Sequence, residues 1–144
     1  MKIVLKNIFI YTFGAFLLIQ LIQVDIPVSK TDPKLEIKAP KEIMSIFKTS
    51  CYDCHSNEVN IPWYSNIAPI SWTISRHVDL GRKWLNFSIW ETYSQEQKDK
   101  KLGELYKAMY QAMPLKSYVS QHKEAKLTKA QRDLVRAWTG KAPF

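Results

Sequence analysis

The residues best suited to chemistry are two cysteines and a histidine in the run Cys51-Tyr52-Asp53-Cys54-His55. A Cys-x-x-Cys-His run is the attachment signature for a c-type haem. Cysteines three positions apart face the same side of a helical turn, so both sulfurs can form thioethers with the vinyl groups at one porphyrin edge. His55 can then offer an imidazole nitrogen to the iron. Because the chain contains only these two cysteines, no other thiol competes for this role.

Other chemistries of this motif are weaker hypotheses. A zinc site usually needs two further Cys or His ligands at short spacing, whereas His77 and His122 are distant and unpaired. A thioredoxin-like redox pair normally follows a strand in a β-α-β pattern, and no such pattern surrounds Cys51. A structural disulfide would leave the adjacent histidine unexplained. We therefore predict one covalently attached haem c, with His55 as the proximal ligand of the iron.

The side chain of Met113 is the candidate for the opposite axial position. A residue before proline is pushed out of the α region, so Pro114 should end the preceding helix and leave Met113 at the start of a loop. A thioether ligand raises the potential of haem iron relative to two histidines. Met109 instead falls in the apolar stripe of the helix and is expected to fill the core. His77 and then His122 are the alternative ligands, and a vacant sixth position is the remaining possibility.

Helical periodicity dominates the sequence around these ligands, and no convincing strand pattern occurs. The first helix begins at about Pro40, a favourable residue for the first helical position. Its apolar positions recur at helical spacing up to the motif, so it should pack one face inward and place Cys51 and Cys54 at its end. A second helix covers about residues 71–87, although Gly81 interrupts it.

The two remaining helices carry clear start signals. The third opens at residues 94–97 and the fourth at 128–131, each with a capping box that satisfies backbone donors at the helix start. The fourth helix is expected to end at Gly140 and to bury three residues: Leu134, Val135 and Trp138. A haem motif, middle helices, a Met-Pro loop and a closing helix form the plan of an all-α, class I cytochrome c-like domain. In that plan the first and last helices cross.

A hydrophobic segment precedes the domain. Lys2 and Lys6 stand before an apolar stretch, which is the pattern of an export signal, and haem c is attached on the far side of the bacterial inner membrane. No small-x-small cleavage pattern follows, so we favour an uncleaved anchor over a removed signal peptide, with the lysines cytoplasmic. We divide the chain into a signal-anchor segment (1–24), a linker that lifts the domain off the membrane (25–39) and a haem-binding domain (40–144).

The formal net charge of +8 does not indicate a nucleic-acid partner. No run of five or six basic residues occurs, and lysines alternate with acidic and amide residues over 96–107, as on a solvated helix face. The positive excess suits an acidic redox partner or anionic lipid. The domain is also small for a protein that must enclose a haem, so the haem-free form is expected to fold poorly.

A set of motif positions extends through the whole domain. They are 51–58, 62–65, 67–69, 71–72, 77–78, 81–82, 85–88, 113–115, Trp90, Tyr118, His122, Ala125, Leu127 and Trp138. This set resembles the pattern of the bacterial haem-binding domain family, whose members are small proteins with a single Cys-x-x-Cys-His. Val59 and Ile61 depart from the family pattern, at a loop outside the motif. The resemblance implies covalent haem at the two cysteines, a proximal histidine and an exported domain, and it includes both alternative ligands.

The leading functional prediction is a monohaem cytochrome c that transfers single electrons at the periplasmic face of the inner membrane. Its partners would be periplasmic or membrane redox proteins. No acid–base pair or nucleophilic constellation is visible, so the chain is not predicted to be an enzyme. The alternative is a haem-based sensor of small ligands, or a peroxidase-like protein, with a weak or open sixth position. A third possibility is a haem-bearing subunit that mainly positions other proteins.

Overall fold

A computed structural model describes residues 1–141 as helices joined by irregular segments, with no strand in that range. The α-helices are α1 (Lys2–Ile19), α2 (Lys41–Ser50), α3 (Tyr52–His55), α4 (Ile70–Trp84), α5 (Gln95–Gln111), α6 (Lys116–Gln121) and α7 (Lys129–Thr139). Short 3₁₀ turns lie at Trp63–Asn66, Phe87–Thr92 and Lys123–Ala125. The prediction of an all-α fold is confirmed.

The starts of α5 and α7 follow the predicted capping boxes. The backbone N–H of Gln97 donates to Ser94 Oγ at 3.2 Å, and the N–H of Ser94 donates to Gln97 Oε1 at 2.9 Å. Thr128 and Gln131 form the same reciprocal pair at 3.2 and 2.8 Å. Gly140 ends α7 with a φ of +64°, a left-handed conformation that glycine adopts without steric cost. These three local signals correctly predicted where α5 and α7 begin and where α7 ends.

Some helix boundaries differ from the prediction by one or more residues. α2 begins at Lys41, one residue after Pro40, which has an extended ψ of 150°. α4 ends at Trp84 rather than near residue 87, because Leu85 is extended (φ −152°, ψ 124°). This early stop turns the chain back, so that Phe87 enters the core.

The prediction that α7 buries Leu134 is wrong. Leu134 is 46% exposed, whereas its neighbour Val135 is fully buried. Successive residues of a helix point about 100° apart, and α7 packs on α2 and α5 along a stripe that contains Val135 and the partly buried Trp138. Leu134 falls outside that stripe.

An aromatic stack joins the first and last helices of the domain. Phe47 on α2 is fully buried and stacks on Phe87, with ring centroids 4.7 Å apart. The ring of Trp138 on α7 meets Phe47 edge-on at 5.6 Å. The ring of Tyr52 also stacks on Phe87, with centroids 5.4 Å apart. The stack therefore fixes α7 and the α2–α3 junction, where Cys51 lies, relative to each other.

Residues 25–39 form no helix, as the sequence predicted, but they run along the domain instead of holding it at a distance. Ile37 is buried, and its N–H donates to the carbonyl oxygen of Phe87 at 3.0 Å. Ser29 donates its N–H to the carbonyl oxygen of Asn57 at 3.0 Å. Burial of one apolar side chain and these backbone bonds keep the segment on the surface. The division at residues 24 and 39 stays a prediction.

The N-terminal helix α1 is long and apolar enough to cross a membrane, judged by length and composition. None of its residues is buried against the rest of the chain. The helix is therefore suited to serve as a membrane anchor or as a signal segment.

Candidate functional site

The Cys-x-x-Cys-His run lies at a break between two helices. α2 ends at Ser50, and Cys51 has a non-helical φ of −129°. A single turn, α3, then carries Cys54 and His55, with the N–H of His55 donating to the carbonyl oxygen of Cys51 at 2.9 Å. Both cysteines are half-buried and not joined in a disulfide. The turn places two free thiols and the imidazole on one short stretch of backbone.

The imidazole of His55 is held by the end of α4. Its Nδ1 lies 3.0 Å from the carbonyl oxygens of both Gly81 and Leu85. Carbonyl oxygens only accept hydrogen bonds, so Nδ1 carries the proton and the lone pair of Nε2 stays available to a metal. Burial lowers the pKa of His55, while the two carbonyls act in the opposite direction. A neutral imidazole whose Nδ1–H is held in this way, with Nε2 free, is the form in which histidine binds iron.

A cavity of about 310 Å³ adjoins the motif. Cys51, Cys54 and His55 line it together with Met113 and His77, so the structure brings five of the six predicted site residues to one place. The rest of its wall is mostly apolar and comes from α4, α5 and the segments around α6. The residues concerned are Leu80, Trp84, Leu105, Ala108, Met109, Pro114, Leu115 and Leu127.

These residues fit a haem bound through the motif. Haem presents a large apolar ring, which this wall can enclose, and an iron that takes an imidazole nitrogen on one side. The free Nε2 of His55 supplies that nitrogen, and the thiols of Cys51 and Cys54 lie beside it on the same cavity.

The two candidates for the second iron ligand, Met113 and His77, lie on different elements. Met113 follows α5 and Ala112, on a loop that begins where the sequence predicted. His77 lies on α4, the same helix whose carbonyl oxygens hold His55. Met113 would supply a second ligand to the iron from a wall of the cavity that is separate from α4. Met109 is buried, as expected, and also contributes to the cavity wall.

His122 does not line this cavity. It lines a second cavity of about 480 Å³, which also contains His77 and Tyr64. Its Nε2 lies 2.9 Å from the hydroxyl of Tyr64, its Nδ1 lies 3.3 Å from a carboxylate oxygen of Glu124, and its ring stacks on Tyr118 at 4.4 Å. Both ring nitrogens therefore have partners within the protein.

Gly81 has a role that the sequence analysis did not assign. A Cβ built at this position would lie 2.4 Å from the carbonyl oxygen of Cys54, so only glycine lets α4 approach the motif this closely. The same residue offers its carbonyl oxygen to His55. The signal in the sequence was a glycine inside a helical pattern, which often has a packing reason.

Asp53, between the two cysteines, was also missed. One of its carboxylate oxygens accepts the hydroxyl hydrogen of Tyr118 at 2.6 Å, and the other accepts the N–H of Asn60 at 3.1 Å. These bonds connect the motif to α6 and to the loop that contains Asn60. Tyr118 is separated from Asp53 by 65 residues, so no local pattern could have indicated the pair.

The side-chain chemistry argues against a zinc site. Within residues 1–141, no three His, Cys, Asp or Glu side chains cluster in a way that could hold a metal ion. Burial raises the pKa of Cys51 to about 12 and that of Cys54 to about 11, the latter with a further contribution from the charge of Asp53. These buried thiols are therefore not activated as thiolates in the metal-free protein.

Comparison with known proteins agrees with this reading of the site. A family model described as a haem-binding domain matches residues 14–141, most of the chain. No curated protein and no solved structure matches the chain. The matched range includes the Cys-x-x-Cys-His motif and the three candidates for the sixth ligand: Met113, His77 and His122. The chain belongs to the haem-binding domain family.

Proposed function

We propose that the protein is a monohaem c-type cytochrome that carries single electrons. Cys51 and Cys54 would hold the haem through thioethers, and His55 and Met113 would ligate its iron. The observation that carries this proposal is the convergence of these four side chains on one apolar cavity. When bound, the haem supplies reversible one-electron chemistry between ferric and ferrous iron.

The surroundings of His55 are suited to an electron carrier. Two backbone carbonyls fix the ring, so the ligand does not need to reorient when the charge on the iron changes. The ring of Trp84 packs edge-on against His55, with centroids 5.9 Å apart. This apolar packing excludes water from the proximal side, which disfavours the more highly charged ferric state and raises the potential.

The proposal includes a location. With α1 as an uncleaved anchor, Lys2 and Lys6 would remain in the cytoplasm and the domain would face the periplasm. Attachment of haem c outside the cytoplasm agrees with this orientation. The redox partners would be other periplasmic or membrane proteins.

One observation favours a second candidate function, a haem-based sensor or a peroxidase-like protein. His77 lines both cavities and could act on a small ligand at an open sixth position. The two functions differ in whether a protein side chain occupies that position tightly.

The deciding experiment is the absorption spectrum of the matured holoprotein, ferric and ferrous, with and without carbon monoxide. The wild type is compared with Met113→Ala and with Met109→Ala, a control that removes a second methionine from the same cavity wall. Electron transfer with Met113 as ligand predicts a low-spin spectrum and a weak red band of sulfur ligation, lost only in Met113→Ala.

Two other results would change the assignment. A high-spin wild type, or one that binds carbon monoxide readily, would favour the sensor or peroxidase-like function. A low-spin spectrum that survives Met113→Ala would direct attention to His77→Ala first and to His122→Ala second.

A further inference from the structure

One face of the domain exposes large apolar side chains that are not used in its own core. Ile61, Trp63 and Ile70 are 43%, 78% and 48% exposed. All three line the second cavity, so they lie together around it; we call these three residues the Trp63 rim. A cluster of this kind on a small domain marks a surface that meets an apolar partner.

The sequence around the rim is depleted of charge. Residues 59–75 contain no Asp, Glu, Lys or Arg, in a chain in which 24% of residues are charged. A soluble surface normally mixes charged residues of both signs. The uncharged run is therefore unusual for a loop and helix start that face water. It is typical of a surface that is covered by an apolar partner.

The end of α1 is fastened to the same face. The side chain of Gln20 pairs with the backbone of Ala68, accepting its N–H at 2.9 Å and donating to its carbonyl oxygen at 3.1 Å. Two residues further on, the carbonyl oxygen of Ile22 accepts the indole N–H of Trp72 at 2.9 Å. Ala68 lies in the chain between Trp63 and Ile70, so the anchor helix ends beside the rim.

The length of α1 fixes the depth of this junction. Its 18 residues span about 27 Å at roughly 1.5 Å per residue, slightly less than the hydrocarbon core of about 30 Å. With Lys2 and Lys6 kept at the cytoplasmic boundary, the helix has no spare length. Gln20 therefore lies at or inside the opposite boundary of the hydrocarbon core, and Ala68 lies within a hydrogen bond of it. The headgroup layer is roughly 5–7 Å thick on each side, which places the rim within or beside that layer.

We propose that the Trp63 rim is a membrane-contact surface that inserts into the headgroup region of the bilayer crossed by α1. Indole side chains prefer this depth because an apolar ring and a polar N–H are both accommodated there. The domain then rests on the bilayer in one orientation, with the second cavity facing lipid. This inference depends on the proposed anchoring role of α1, but not on the identity of the sixth ligand.

The test uses the full-length holoprotein in vesicles of phosphatidylcholine and phosphatidylglycerol. The vesicles contain a photoactivatable phosphatidylcholine whose reactive group lies near the headgroup. Flotation first establishes that the protein is bound, and peptide mass spectrometry then locates the attached lipid. We expect lipid on residues 59–75 as well as on α1, and none on α7.

Two variants sharpen the test. Trp63→Glu should reduce lipid attachment to residues 59–75 severalfold, because a carboxylate is repelled by the anionic headgroups and does not enter the interface. Leu134→Glu, a change at an exposed leucine of α7, should leave that attachment unchanged. The haem absorption spectrum of each variant checks that the domain remains folded.

Each remaining outcome overturns the proposal in a recognisable way. Lipid confined to α1, or attachment unaffected by Trp63→Glu, would show that the rim does not touch the membrane. Cross-links between copies of residues 59–75 would assign the rim to self-association. Failure to float with the vesicles would overturn the anchoring role of α1 and, with it, the proposed contact of the rim.

Discussion

The carbonyl oxygen of Gly81 lies 3.0 Å from Nδ1 of His55, and the α-carbon of the same glycine packs directly against the carbonyl group of Cys54. One position of α4 therefore both orients the imidazole and sets the distance between α4 and the motif. The helix could not carry a larger residue here without moving, because a Cβ would come within 2.4 Å of the Cys54 oxygen.

Gly81→Ala is expected to destabilise the holoprotein by about 1–3 kcal/mol, the usual cost of overpacking a tight contact. Displacement of α4 should also weaken the bond to His55 and broaden the haem absorption bands. Urea unfolding followed at the haem band measures both effects.

Gly103→Ala on α5 is the matched control for this prediction. A Cβ there meets nothing within 4 Å, so alanine should raise stability by about 0.5–1 kcal/mol through its better helix propensity. Equal stability of Gly81→Ala and wild type would show that the close approach of α4 to Cys54 is not required.

Phe47→Ala should cost about 3–5 kcal/mol of unfolding free energy, as for other large aromatic side chains removed from a core. Phe47 is fully buried between Phe87 and Trp138, so its loss separates α2 from α7. Leu134→Ala provides the comparison, with an expected change within about 0.5 kcal/mol because that leucine is exposed. Chemical denaturation of both variants measures these changes. A large loss of unfolding free energy in Leu134→Ala would contradict the orientation of α7.

Covalent attachment through the motif predicts that wild-type polypeptide keeps its haem in a denaturing gel. Cys51→Ala and Cys54→Ala should each retain haem through the remaining thiol, and the double variant should release it. In-gel staining for haem and intact mass spectrometry give the answer. Release of haem from denatured wild type would assign a non-covalent haem and would remove the c-type part of the proposal.

Removal of the haem should leave the domain close to unfolding. An unfilled apolar cavity of about 310 Å³ costs up to about 7 kcal/mol at roughly 24 cal/mol per Å³, which rivals the whole stability of a small domain. Thermal melting of the double cysteine variant, produced without haem, should show a broad transition at low temperature or none. A sharp transition near that of the holoprotein would mean that the cavity closes or that the core is sufficient alone.

Features that depend only on neighbouring residues can be predicted from the sequence. The capping boxes at Ser94 and Thr128 and the stop at Gly140 are set by contacts within one helical turn, so local spacing predicts them. The end of α5 before Met113 follows from the steric demand of Pro114 on its neighbour. The haem-binding motif is also a continuous run of residues, so its spacing alone indicates its chemistry.

The contacts between these parts depend instead on how the whole chain packs. Nδ1 of His55 is held by carbonyl oxygens 26 and 30 residues away, and Asp53 by a hydroxyl 65 residues away. Only the packing of α4 and α6 against the motif brings those groups within hydrogen-bonding distance. Ile37 becomes part of the core for the same reason. Local spacing determines which polar groups a segment can offer. The relative placement of the segments depends on burying apolar surface across the whole chain. That placement determines which polar groups become hydrogen-bond partners.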